Sequence, residues 1–151
     1  MTKEVLVSIA GLQFDDGNEE AIEIVSHGEY YFKNNKHFVL YEELYNEESE
    51  KVSSVKCTLK ISNHQVELIK KGEASVHMVF ELNKNHMTYY NTPFGDLLIG
   101  ITTKSIVITE EEKEIELSMV YGLDINYQYV SDCNLVIRIT AKRQGLGIVE
   151  E

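Results

Sequence analysis

The stretch Ile115-Glu116-Leu117-Ser118-Met119-Val120-Tyr121-Gly122-Leu123-Asp124-Ile125-Asn126-Tyr127-Gln128-Tyr129 decides the fold, because every odd position in it is apolar or aromatic. A repeat of two is the repeat of a β-strand, whose side chains alternate between the faces of a sheet. One apolar face and one wet face along such a length call for a strongly curved antiparallel sheet, a barrel or a sandwich. The same ladder sets Tyr121, Tyr127 and Tyr129 on the face of the aliphatic residues.

The flanking sequence repeats the theme. Ala74, Val76, Met78, Phe80 and Leu82 alternate on even positions; Val55, Cys57, Leu59 and Ile61, and again Leu135, Ile137, Ile139 and Ala141, alternate on odd ones. Turn signals stand at Asp16-Gly17-Asn18, Asn34-Asn35, 46–51, Ser62-Asn63, Lys71-Gly72-Glu73, Asn83-Lys84-Asn85, Thr92-Pro93, 110–113 and 131–134. They predict about ten strands, near 3–14, 20–32, 37–45, 52–61, 64–70, 74–82, 86–91, 94–109, 114–129 and 134–142. Within 94–109 the apolar register switches from Leu97, Ile99 and Ile101 to Ile106 and Ile108, so a bulge or bend is expected in the polar residues between, with Gly100 available to help the corner. The Glu-rich stretches 41–51 and 110–121 imitate helix. The first lacks a clear N-cap and the second runs into the ladder, leaving at most a short helix or helical turn near 46–51. The expected fold is therefore all-β: a single domain over 1–151, an up-and-down antiparallel barrel of about eight to ten strands with little or no helix. Closure removes the edges that an open sheet would expose.

A chain of 151 residues buries a sizeable core without cross-links. Its formal charge of −11 argues against nucleic acid and anionic lipid surfaces as partners. The acid sits in turns such as 15–20, 46–50 and 110–112, where it serves solubility and edge protection and lacks the spacing of a calcium loop. Two cysteines make no disulfide framework: Cys57 falls on an apolar face, and Cys133 falls in a turn-like stretch with nothing basic beside it. There is no signal-peptide-like apolar run at the start and no segment approaching the roughly 18 apolar residues of a membrane span, so the cytoplasm is the expected location.

The most distinctive local chemistry is Tyr89-Tyr90-Asn91-Thr92-Pro93-Phe94-Gly95-Asp96, holding the chain's one proline. On its own it is a rigid turn between strands. Together with Tyr41-x-Glu43, Lys70-x-Gly72, Thr102-Thr103 and Tyr121-x-Leu123, it resembles the YwiB-like bacterial proteins of a domain of unknown function. The resemblance implies a lipocalin- or streptavidin-like (calycin-like) barrel and supplies no activity. Lysine at 70 or 71 stands where that family tends to have arginine, which forfeits bidentate recognition of a carboxylate or phosphate.

No catalytic or metal signature accompanies the fold. The histidines His27, His37, His64, His77 and His86 are scattered without zinc-type spacing, no serine lies in a nucleophile elbow, and Gly145-Leu146-Gly147 opens no helix. His77 reads as a surface residue and His86 as part of a hairpin. No cofactor or metal is expected. A barrel of this size is either filled by side chains or holds one small ligand, and nine tyrosines without a tryptophan favour a polar-tipped cavity. The expectation is a non-enzymatic binder of a small, partly apolar ligand in the interior or mouth, with Tyr41, Glu43, Lys70, Tyr90, Thr92 and Tyr121 lining it. Glu43 and Lys70 are expected to pair internally or to fix a polar ligand group. A filled barrel acting as a protein-interaction or self-association module, monomer or homodimer, is the alternative; exposed apolar residues such as Ile69 and Val79 gathered in one patch would favour it. An enzyme with a Tyr, Lys or Glu at the mouth is the third reading.

Overall fold

The structure is a computed structural model, which describes residues 3–11, 23–46, 52–72 and 74–142. Its ten strands are β1 (Glu4–Ala10), β2 (Glu23–Lys33), β3 (Lys36–Asn46), β4 (Val52–Ile61), β5 (Gln65–Gly72), β6 (Val76–Glu81), β7 (Asn85–Thr92), β8 (Gly95–Glu110), β9 (Glu114–Ile125) and β10 (Gln128–Ala141). No helix occurs among the described residues. The helical turn considered near 46–51 falls largely outside them.

All strands join one antiparallel sheet in the order β6-β5-β4-β3-β2-β1-β10-β9-β8-β7. Neighbours in sequence are thus neighbours in space, and the β1–β10 pairing brings the two halves of the meander together. The ring nearly closes between β6 and β7. There Ser75 and Asn91 exchange backbone hydrogen bonds of 2.9 and 2.8 Å, and at the other end of the seam Asn83 N–H donates to Thr103 O at 2.9 Å. The turns 34–35, 62–64, 82–84 and 111–113 gather at one end, the upper rim; 93–94 and 126–127 lie at the lower rim.

Alternation does its work as read from the sequence. Val5, Val7, Val39, Leu59, Val66, Leu68, Met78, Phe80, Ile99, Ile101, Leu117, Met119, Leu135, Ile137 and Ile139 are all buried inside the ring. Each such side chain contributes about 1.5–3 kcal/mol by leaving water. The register switch in β8 is a bulge between Thr103 and Ser105, so Ile99 and Ile101 before it and Ile106 and Ile108 after it face the same way. Gly28 lies where β2 passes β3: a Cβ there would come within 2.9 Å of Leu40 O and 3.3 Å of Tyr41 Cβ.

The ladder is corrected in one respect. It is not one strand to Tyr129: β9 ends at Ile125, and Asn126 and Tyr127, with φ of 51° and 69°, make a two-residue hairpin of the primed type. This turn inverts parity, so Tyr129 stands opposite the outward-facing Asp124 and Tyr127 and Tyr129 are exposed; the bulge between Tyr129 and Ser131 then returns odd positions to the inner face. Of the three tyrosines only Tyr121 is inside. The expected turn at 131–134 is likewise strand, and Cys133 lies in β10 directly across from Tyr121. Polar outward positions there have partners on the outer wall: Asp132 accepts from Lys104 Nζ at 3.0 Å and from Tyr129 Oη at 2.9 Å.

A left-handed backbone is costly for an aromatic residue, and Tyr127 is well exposed. Tyr127→Gly is therefore expected to stabilise the protein by about 1 kcal/mol, converting the turn to Asn-Gly. Urea denaturation measures this, and an unchanged or lower midpoint contradicts it.

Candidate functional site

The residues singled out in the sequence fall on the lower half of the barrel, in three settings. Glu43 on β3 is buried, and Lys70 on β5 reaches it past β4, with Nζ 3.1 and 3.3 Å from its two carboxylate oxygens. Tyr41 is also buried and contacts Cys57, one strand over. Tyr90 is half-buried against the core. Thr92 serves its own turn: its hydroxyl donates to Gly95 O at 2.6 Å and accepts from Phe94 N–H at 3.1 Å. Tyr121 is fully buried, its ring edge-on to Phe80 at 5.2 Å between centroids. The structure thus brings together Tyr41, Glu43 and Lys70 through β3–β5 and keeps Thr92 and Tyr121 in separate roles.

Cys57, taken from the sequence as a small buried hydrophobe, is one, and its thiol is pushed up to about 12 by burial and then by Glu43. The unfolded thiol ionises near pH 9, so this contribution to stability is complete below that and is lost as pH rises toward 12. Native protein at pH 8 is expected to leave Cys57 unlabelled by iodoacetamide for hours, with labelling on addition of denaturant, as read by mass spectrometry. Rapid native labelling at Cys57 would contradict the geometry.

The upper mouth carries features that sequence spacing did not reveal. Tyr30 and His37 flank the Asn34-Asn35 turn, and the Tyr30 hydroxyl and His37 Nδ1 share a 2.8 Å hydrogen bond. His37 is buried, and its Nε2 lies 3.6 Å from Glu110 Oε1, which belongs to β8 on the opposite side of the ring. Burial and then Glu110 hold the Tyr30 hydroxyl above its usual range. The only sequence cue was the length of β8, whose 16 residues must outreach β7's 8.

Beside the His37–Glu110 contact opens a cleft of about 580 Å³ lined by Asn63, His64, Glu81, Leu82, Ile106 and Ile108. Glu81 accepts from His86 Nε2 at 2.9 Å and from Gln65 Nε2 at 3.3 Å, and its carboxyl is held below the usual range, chiefly by the His86 hydrogen bond. A second, shallow groove of about 740 Å³ runs over the outer wall at Gly28 and Tyr41, edged by Glu4, Glu29, Glu42, Lys56 and Lys142. No group of three or more His, Cys, Asp or Glu among the described residues is arranged to hold a metal ion. His77 is half-exposed and pairs with Glu67 on the outer wall, as its position in the alternation predicts. No helix among the described residues is long and apolar enough to cross a membrane.

These features define a ten-stranded, nearly closed up-and-down β-barrel with a half-apolar mouth. The chain belongs to the family described as domain of unknown function (DUF1934), whose profile matches residues 7–137. It is 30% identical over 111 residues to the uncharacterized beta-barrel protein YwiB of Bacillus subtilis (strain 168), covering 74% of this chain and 75% of that one. The crystal structure of the ywiB protein from Bacillus subtilis superposes with a TM-score of 0.75 at 26% identity, over 93% of each chain. The family expected from the Tyr-x-Thr-Pro-Phe-Gly stretch and its companions is therefore the right one, and so is the all-β barrel.

Proposed function

We propose that this protein is a non-enzymatic, cytoplasmic binder of a small, partly apolar ligand held at the upper mouth of the barrel. The observation that carries the reading is Ile106 and Ile108. They face inward on β8, where the inward aliphatic residues of the core are sealed, yet they are only half-buried and line a cleft of about 580 Å³. That volume is within the usual range for small-molecule sites, and a few polar groups on an apolar wall are the usual composition. His64, Asn63 and Glu81 supply them. The larger outer groove is shallow and edged by charges, a poorer match to such a ligand. Glu43 and Lys70, paired to each other, support the barrel in this reading.

Nile red, a neutral apolar dye, tests the proposal. Its fluorescence is expected to rise on titration with the protein, and affinity is expected to fall at least tenfold in Ile106→Asp and in Ile108→Asp. An unchanged affinity in both variants, or no binding to the folded wild type, would sink the reading.

Self-association is a second reading with its own observation. Met87, Tyr89, Phe94 and Tyr127 are exposed around Leu98, which pairs with Tyr89 and is bonded by Asn126. Ile69 and Val79 lie elsewhere, half-buried opposite His77 and Glu67 on the wall of β5 and β6. A dimer by light scattering that dissociates in Tyr89→Lys would support this reading; a strict monomer removes it.

A further inference from the structure

The mouth cleft has a wall that a small-molecule site does not need. β7 pairs with β8 only as far as Asn85↔Thr102, and the backbone of Thr103 is used by Lys84 O at 3.3 Å and Asn83 N at 2.9 Å. Beyond that point β8 continues, paired with β9 from Ser105↔Val120 to Glu110↔Ile115. On its other side no described strand accompanies it. Residues 105–109, Ser-Ile-Val-Ile-Thr, therefore present a row of unpaired backbone groups along the edge of the cleft. An edge so rich in β-branched residues is one that proteins ordinarily blunt with lysine, proline or a bulge. Here the bulge and Lys104 come before the run and Glu110 after it; the run itself carries no charge.

We infer that the mouth cleft takes an extended, cationic peptide that adds to the free edge of β8, with alternate side chains on the Ile106–Ile108 wall. The inference rests on the mouth-binding reading and names its ligand class. Edge addition supplies affinity through main-chain hydrogen bonds and specificity through pockets for alternate side chains. Both are present. Ile106 and Ile108 face the cleft, Val107 between them is exposed outside, and the spacing suits every second residue of an added strand. Charge selects the occupant: exposed Glu110, Glu111 and Glu112 stand at the end of the edge in a chain of net charge −11, so lysine or arginine at the peptide's end is drawn there. A second copy of the chain offers the opposite, its own acidic run against this one.

The probe is an acetylated seven-residue peptide of alternating valine and threonine ending in two lysines. Two twins, N-methylated at the valines or at the non-valine residues, complete the set. Binding is followed by calorimetry and by amide hydrogen exchange on the whole protein. The parent peptide is expected to bind and to slow exchange at 105–110 at least tenfold. Methylation of one alternate set is expected to weaken binding at least tenfold more than methylation of the other, because an added strand uses one of its edges. Equal effects of the two twins, or slowed exchange confined to other strands, overturns the inference. If Nile red fills the cleft and the peptide does not bind, the peptide class fails while the mouth reading stands; if neither binds, both fail. A dimer that forms through 105–110 and excludes the peptide overturns it in favour of a second copy.

Discussion

Lys70→Ala is expected to destabilise the barrel by about 3–5 kcal/mol, the usual cost of taking one partner from a buried ion pair. The Glu43 side chain is only 3% exposed, and Lys70 Nζ approaches both of its oxygens. Removing the ammonium withdraws its charge from a carboxylate that water does not reach. The effect is separable from loss of the lysine stem, which also covers apolar surface. Lys70→Met keeps the stem and is expected to lose most of the same stability, whereas Glu43→Gln combined with Lys70→Met is expected to return to within about 1–2 kcal/mol of wild type, since both charges are then gone. Urea denaturation of the three variants gives the comparison. On the scale of a domain this size, 4 kcal/mol is a fall of roughly 10 °C in Tm. A Lys70→Met variant as stable as wild type would mean that the pair does not hold β3 to β5.

What the sequence shows of this barrel is what period two can show. Where apolar residues alternate without interruption, as in β4, β6 and β9, face and burial are legible, and the parity switch between Ile101 and Ile106 locates a bulge. Parity also misleads when a turn and a bulge compensate. Asn126-Tyr127 reverses the chain and turns odd positions outward, and the bulge after Tyr129 turns them inward again, so the exposed odd-numbered tyrosines between imitate a continuation of β9. Asn126 was the available clue, since asparagine tolerates the left-handed backbone, but the following tyrosine masks an Asn-Gly signature. The mouth was less legible still. His37 meets Glu110 across the ring, and Ile106 meets Asn63 and His64 across the cleft, contacts set by which strands outreach their neighbours. No local pattern encodes that. Glu43 and Lys70 were found through the resemblance, because their spacing on β3 and β5 carries no signature of its own.

Tyr121→Ala is expected to cost about 3–5 kcal/mol, and the contrast with Tyr121→Phe separates a core residue from a pocket residue. The ring is fully buried and packs on Phe80, so truncation opens a cavity where β6 and β9 face each other across the lumen. The hydroxyl contributes little to that. Its polar neighbour is the Cys133 thiol on the paired strand, a weak hydrogen-bonding group, and burial followed by that thiol pushes the Tyr121 hydroxyl above its usual range. Deleting a buried hydroxyl whose partner is only a thiol loses a weak bond and relieves desolvation, so Tyr121→Phe is expected to leave stability within about 1 kcal/mol of wild type. If Tyr121 instead offered its hydroxyl to a ligand, Tyr121→Phe would weaken Nile red or peptide binding. The packing against Phe80 predicts that binding at the upper mouth survives the substitution. Denaturation and titration on the same two variants decide it: a Tyr121→Phe protein that folds as well as wild type but binds neither probe would move the site from the Ile106–Ile108 mouth into the lumen, and would make the tyrosine a wall of the pocket after all.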